Sequence, residues 1–171
     1  MARFTFESGR YRTSGELPTV GSRAPDIGLV NTRLQDVSLA AWRGKRKILN
    51  VVTSIDLAPC ARSVAGFERH GADIGELALL TISCDLPFAH ARFADQNGLT
   101  RVTGLSSIRH TGFGDYYGVQ ITEGPLAGLF ACAVVVIDEN DTVVHTEQIE
   151  DVGTEPDYVA AFRALGIDIE A

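Results

Sequence analysis

Three cysteines, Cys60, Cys84 and Cys132, are the residues of this 171-residue chain best suited to covalent chemistry. A thiol reacts as its thiolate, so what matters is which sulfur is held where a negative charge is favoured. Cys60 closes the stretch Ile48-Leu49-Asn50-Val51-Val52-Thr53-Ser54-Ile55-Asp56-Leu57-Ala58-Pro59-Cys60. Asp56 suits a helix N-cap, because its carboxylate can accept a free first-turn N–H. Pro59 then falls in the first turn, where its missing N–H costs nothing. Cys60 is thereby placed about one turn into a helix, where first-turn N–H groups and the helix dipole favour the thiolate. Only Cys60 has this setting, so it is expected to be the most oxidant-sensitive of the three. The plainer alternative is that a cysteine is simply a small buried hydrophobe. A soft-metal site built from all three thiolates is a further reading, though no CxxC or nearby histidine pair supports it. His70, His90, His110 and His145 are dispersed and are expected at the surface.

The elements that must position these thiols follow from pattern. Ile48 to Val52 is short, apolar and β-branched, hence a strand, and Val64, Phe67 and Ile74 continue at helical spacing towards Gly75. Leu77 to Cys84 is a nearly all-apolar strand, buried on both faces. Asp85 is placed to cap a helix over Leu86 to Gln96, with Gly98 just past its end. Val102 to Leu105 reads as a short strand and Arg109 to Tyr117 as a short helix. Cys132 to Asp138 and Thr142 to Ile149 form an antiparallel pair around the turn Glu139-Asn140-Asp141. A last helix starts at Thr154-Glu155-Pro156-Asp157, with Thr154 as its N-cap. Phe4-Thr5-Phe6 and Tyr11-Arg12-Thr13 flank Ser8-Gly9 as an N-terminal hairpin, about residues 3–13. Strand–helix–strand–helix, then hairpin, then helix is the α/β pattern of a thioredoxin-like fold: a central mixed sheet flanked by helices. The strands at 48 and 77 are expected as parallel neighbours.

The segment from Gly44 to Cys60 resembles the active-site segment of the bacterial thiol peroxidases, a peroxiredoxin subfamily. Ser83-Cys84-Asp85-Leu86-Pro87-Phe88-Ala89, Tyr117-Gly118-Val119, Gly124-Pro125-Leu126, Ala133 to Asn140 and Thr154 to Tyr158 carry the resemblance along nearly the whole chain. It implies that Cys60 attacks a hydrogen or alkyl hydroperoxide and becomes a sulfenic acid, which a second thiol captures. It implies no bound cofactor or metal, a thioredoxin-like thiol reductant and a homodimer. It also implies, by likeness to the thioredoxin fold, that the strand from 132 runs antiparallel beside the central strand, gathering all three cysteines at one sheet edge. The family motif reads Pro-Ser-x-Asp-Thr-x-x-Cys. Ser54, Asp56 and Cys60 match it; Thr53 stands for the proline and Leu57 for the threonine that positions thiolate and peroxide. Cys132 stands for the arginine that stabilises the thiolate, and Ala94 for the resolving cysteine. Losing such donors implies a weakened peroxidase, with Arg62, Arg92 and Arg109 as candidate replacement cations. A non-catalytic redox-responsive or binding protein on the same fold is the alternative. Cys132 and Cys84 are candidate resolving thiols or, equally, buried strand residues. An arginine is long and a cysteine short, and a disulfide needs Cα atoms within about 7 Å. The thiols are therefore expected reduced and separated at rest, a Cys60 disulfide forming only after local unfolding, with Cys132 the favoured partner.

The bulk composition bounds the function classes. Net charge is −7, which argues against nucleic acid and anionic membrane surfaces as partners. The 45% hydrophobic and 22% charged content is that of an ordinary globular domain, and the length fits a single one over residues 1–171. No apolar run is long enough to span a membrane, and Met1-Ala2-Arg3-Phe4-Thr5-Phe6 lacks a signal-peptide core. A cytoplasmic protein with reactive thiols is the expectation.

Overall fold

A computed structural model describes residues 1–170. The hairpin β1 (Arg3–Phe6) and β2 (Gly9–Arg12) pairs antiparallel and stands apart from the main sheet. The main sheet contains β3 (Leu29–Asn31), β4 (Asp36–Val37), β5 (Arg46–Val51), β6 (Leu77–Ser83), β7 (Val102–Ser106), β8 (Ala133–Ile137) and β9 (Val143–Gln148), in the order β4-β3-β7-β6-β5-β8-β9. As expected, β5 lies in the sheet interior, parallel to β6 on one side and antiparallel to β8 on the other, with Val51 opposite both Ile82 and Ala133.

The helices are α1 (Ala58–His70), α2 (Pro87–Asn97), α3 (Phe113–Tyr116) and α4 (Tyr158–Arg163), and a 3-10 turn, Leu39–Trp42, leads into β5. The apolar run of β5 is buried on both faces. Ile48 joins Phe67 of α1 and Phe162 of α4 on one side, while Leu49 and Val51 join Phe113, Tyr117 and Phe130 on the other. Burial from both sides removes the period-2 alternation that a half-exposed strand would show.

Several local expectations are corrected. Helix α1 ends at His70 rather than near Gly75, because the chain must turn closely past Leu79 at Gly71, where a Cβ would collide with that side chain. The N-cap of α1 is Leu57, not Asp56, and that of α2 is Leu86, not Asp85; neither makes a side-chain cap bond. The last helix is capped by Asp157, whose carboxylate accepts from Ala160 N–H at 2.9 Å, not by Thr154. Gly98 does end α2, in the left-handed conformation with φ 61° that glycine adopts at no steric cost.

Candidate active site

Cys60 sits at the start of α1, over the end of β5. Its helix begins late because the residues before it are held by tertiary partners. The Asp85 carboxylate accepts from Ser54 Oγ at 2.8 Å, from Ile55 N–H at 2.9 Å and from Ser83 Oγ at 2.6 Å. Asp56 instead faces outward and pairs with Arg92 at 3.1 Å. The first turn of α1 is pinned from behind: Asn50 Nδ2 donates to Ser63 Oγ at 3.0 Å, and Ser63 Oγ donates to the Cys60 carbonyl at 2.8 Å.

The sulfurs of Cys60 and Cys132 are 3.6 Å apart. Both thiols are free and buried, at 2% and 8% exposure. The expectation of separated thiols is therefore wrong, although both are reduced. Cys132 immediately precedes β8, one residue beyond the Val51–Ala133 pair, and the first turn of α1 folds back over that corner. Two short side chains meet there because the backbones themselves are close. Cys132 is held in place by its carbonyl, which accepts from Ile149 N–H at 3.0 Å and Gln148 Nε2 at 2.9 Å. The Thr53 hydroxyl donates to the Phe130 carbonyl at 2.7 Å and lies 3.4 Å from the Cys132 sulfur.

A hydrogen bond from the Cys132 thiol draws the Cys60 thiol down to about 7, against the opposing effect of burial, and the backbone N–H groups of Ser54 and Thr53 lower it further. These donors come from the loop before α1 and from the residue before β8, where the sequence placed them in the helix's first turn. Cys132 is held well above the usual thiol range, because it is the donor to the Cys60 sulfur and is buried beside that charge. Burial also raises Cys84.

Cys84 directly follows β6 at the same sheet edge but does not join the pair. It packs, half-buried, against the main core cluster, accepts from Ser107 Oγ at 3.5 Å, and lies 3.7 Å from the Gly128 carbonyl. Leu57 packs half-buried against the cluster holding Cys60 and Cys132. The candidate cations are engaged elsewhere, Arg62 with Glu155, Arg92 with Asp56 and Arg109 with Asp36. Ala94, on α2, lines a small cavity with Thr81, His90 and Gly104, and the Thr81 hydroxyl there has no partner. Among the described residues no group of three or more His, Cys, Asp or Glu side chains could hold a metal ion.

Two contributors escaped sequence reasoning. Asp85 looked like a cap, yet it is the carboxylate that fixes the loop carrying the N–H donors. His90 looked like a surface residue. It is 4% exposed, with Nε2 2.9 Å from Ser83 Oγ, because α2 packs its first turn onto Gly104 of β7. Burial keeps this imidazole below the usual histidine range. A possible signal for both was an Asp directly after a fully apolar strand, at the edge where α/β sheets place their sites.

The redoxin family model matches residues 19–162. A thiol peroxidase of Corynebacterium glutamicum is 42% identical over 96% of this chain and 99% of its own length. The chain belongs to the peroxiredoxin family, in its thiol peroxidase group. A Mycobacterium bovis thiol peroxidase is likewise 42% identical, over 97% of this chain and 99% of its own. Among solved structures, a thiol peroxidase from Chromobacterium violaceum superposes with a TM-score of 0.88 at 25% identity, covering 92% of this chain and 91% of that one. A peroxiredoxin-like protein from Aquifex aeolicus gives a TM-score of 0.85 at 28% identity, covering 91% of each. The family consists of enzymes that reduce peroxides through a cysteine thiol, and the thioredoxin-like sheet described above is its fold.

Proposed function

We propose that this chain reduces hydrogen peroxide or small alkyl hydroperoxides with Cys60 as the nucleophile. The Cys60 thiolate attacks the terminal oxygen of R–O–O–H. The O–O bond breaks, Cys60 becomes a sulfenic acid, and the alkoxide takes up a proton to leave as ROH. The observation that carries this reading is a buried thiol at a helix start with the Cys132 sulfur 3.6 Å away, its pKa drawn down by that neighbour and by the backbone of Ser54 and Thr53. The cleft over Cys60, between Pro59, Ile149, Val152, Thr154 and Pro156, has room for about one water molecule. That size favours a small peroxide. Electrons would return from a thioredoxin-like dithiol in the cytoplasm.

The rate is proposed to lie below that of a site carrying the family's threonine and arginine. Leu57 offers no hydroxyl to the peroxide, and a thiol is a weaker charge stabiliser than a guanidinium. A homodimer is part of the proposal, supported by Leu86, Phe88, Ile108 and Tyr116, large apolar side chains exposed in the loops and helices after β6 and β7. The second reading, a redox-responsive protein without turnover, is favoured by the apolar Leu57 and by the depth of Cys60. The second-order rate of Cys60 oxidation by hydrogen peroxide separates the two. It is expected to exceed that of free cysteine thiolate at least about a hundredfold, the worth of roughly one oriented donor. A rate equal to free cysteine thiolate defeats the peroxidase reading.

A further inference from the structure

Cys132 is close enough to the Cys60 sulfur to react with it, and its backbone is fixed by two hydrogen bonds to Gln148 and Ile149. It stands on the strand side of the site, whereas Ala94 on α2 offers no thiol. Resting on the peroxidase reading above, we propose that Cys132 is the second catalytic residue. Its thiol donates to the Cys60 thiolate at rest, passes that proton to the leaving oxygen during peroxide attack, and then closes a Cys60–Cys132 disulfide while α1 remains folded.

The steps balance. Cys60 S⁻ takes the terminal OH of R–O–O–H, and the departing alkoxide receives the Cys132 proton and leaves as ROH. The resulting Cys132 thiolate attacks the Cys60 sulfur. The S–O bond breaks, hydroxide leaves and is protonated by solvent to water. The two thiols have lost two electrons and the peroxide has gained them. A dithiol of the thioredoxin class would return them by exchange.

The surroundings enforce this order. While Cys60 is a thiolate, its charge and the hydrogen bond it accepts hold the proton on Cys132. Oxidation of Cys60 to a neutral sulfenic acid removes both effects together, so the second nucleophile is released only once there is something to resolve. The hydrogen bonds from Ile149 N–H and Gln148 Nε2 to the Cys132 carbonyl keep Cys132 in place meanwhile.

The test oxidises the full chain and its Cys84→Ser, Cys132→Ser and Cys132→Ala variants with stoichiometric hydrogen peroxide. Products are read by non-reducing peptide mapping and stopped-flow mass analysis, with and without sub-denaturing urea. A Cys60–Cys132 disulfide is expected in the parent and in Cys84→Ser, forming no faster in urea. Cys132→Ser should stop at sulfenic or sulfinic acid. Cys132→Ala should in addition oxidise about tenfold more slowly than Cys132→Ser at pH 7, since it removes the donor as well as the nucleophile. A Cys60–Cys84 bridge, sulfinic acid alone in the parent, or disulfide formation accelerated severalfold by urea overturns the proposal and leaves the peroxidase reading intact. A Cys60 thiol that survives peroxide in every form overturns both.

Discussion

Leu57 occupies the N-cap of α1 without a side-chain cap bond, directly beside the reactive sulfur. Replacing it with threonine puts a hydroxyl where the helix lacks one and where a peroxide would need one. Leu57→Thr is expected to raise the rate of Cys60 oxidation at least roughly tenfold, a modest share of what one oriented donor supplies. Single-turnover oxidation by hydrogen peroxide measures it, and an unchanged rate would mean the hydroxyl cannot turn towards the sulfur. At this scale the sequence was informative about Cys60, whose position follows from a local strand–loop–Pro order. It was uninformative about the contact with Cys132. That contact depends on the register of β5 against β8 and on how far α1 leans back over them. Neither is encoded in the neighbourhood of either cysteine. The half-buried packing of Cys84 against the main core is a property of the same kind.

The loop from Val52 to Leu57 behaves as one element held by one carboxylate. Asp85 accepts three hydrogen bonds, two of them from that loop, and Ser83 links it to buried His90. All of Asp85's partners here are donors, so an amide nitrogen in its place would face one of them. Asp85→Asn is expected to cost about 1–3 kcal/mol of stability. It should also slow Cys60 alkylation by iodoacetamide near pH 7, because losing the anchor of the Ser54 backbone outweighs removing the Asp85 charge, the smaller of the two influences on the Cys60 thiol. Urea denaturation and alkylation kinetics check the two effects separately, and a loss below about 0.5 kcal/mol would show the network to be dispensable. The misread caps have the same origin. Asp56, Asp85 and Thr154 each suit an N-cap by local preference. The first two are claimed by Arg92 and by the loop, and Thr154 Oγ1 donates to the Asp151 carbonyl. Strand and helix order was legible because it rests on apolar periodicity, which packing reinforces. Caps were not, because a single tertiary partner outweighs them.

Across the whole molecule, Lys47 ties β5 to the β8–β9 turn. Its ammonium, fully buried, donates to Asp141 at 2.8 Å and to the Lys45 carbonyl at 2.8 Å. Removing the partner leaves an uncompensated charge in the sheet. Asp141→Asn, which keeps a side chain tolerant of the turn's φ of 62°, is expected to lose on the order of 3 kcal/mol. Adding Lys47→Met should recover more than half of it. A double variant no more stable than the single one would place the cost in the turn instead. The chain's lone tryptophan, Trp42, ends the 3-10 turn that leads into β5, and Cys60 lies beyond the other end of that strand, in the first turn of α1. The Cys60 sulfur belongs to a cluster with Val52 and Ile149, whereas the indole packs against a separate core cluster, that of Leu39 and Val135. Its emission therefore serves as a gauge of global unfolding that the thiol chemistry leaves dark, so one cuvette can follow stability by fluorescence while oxidation is counted by mass.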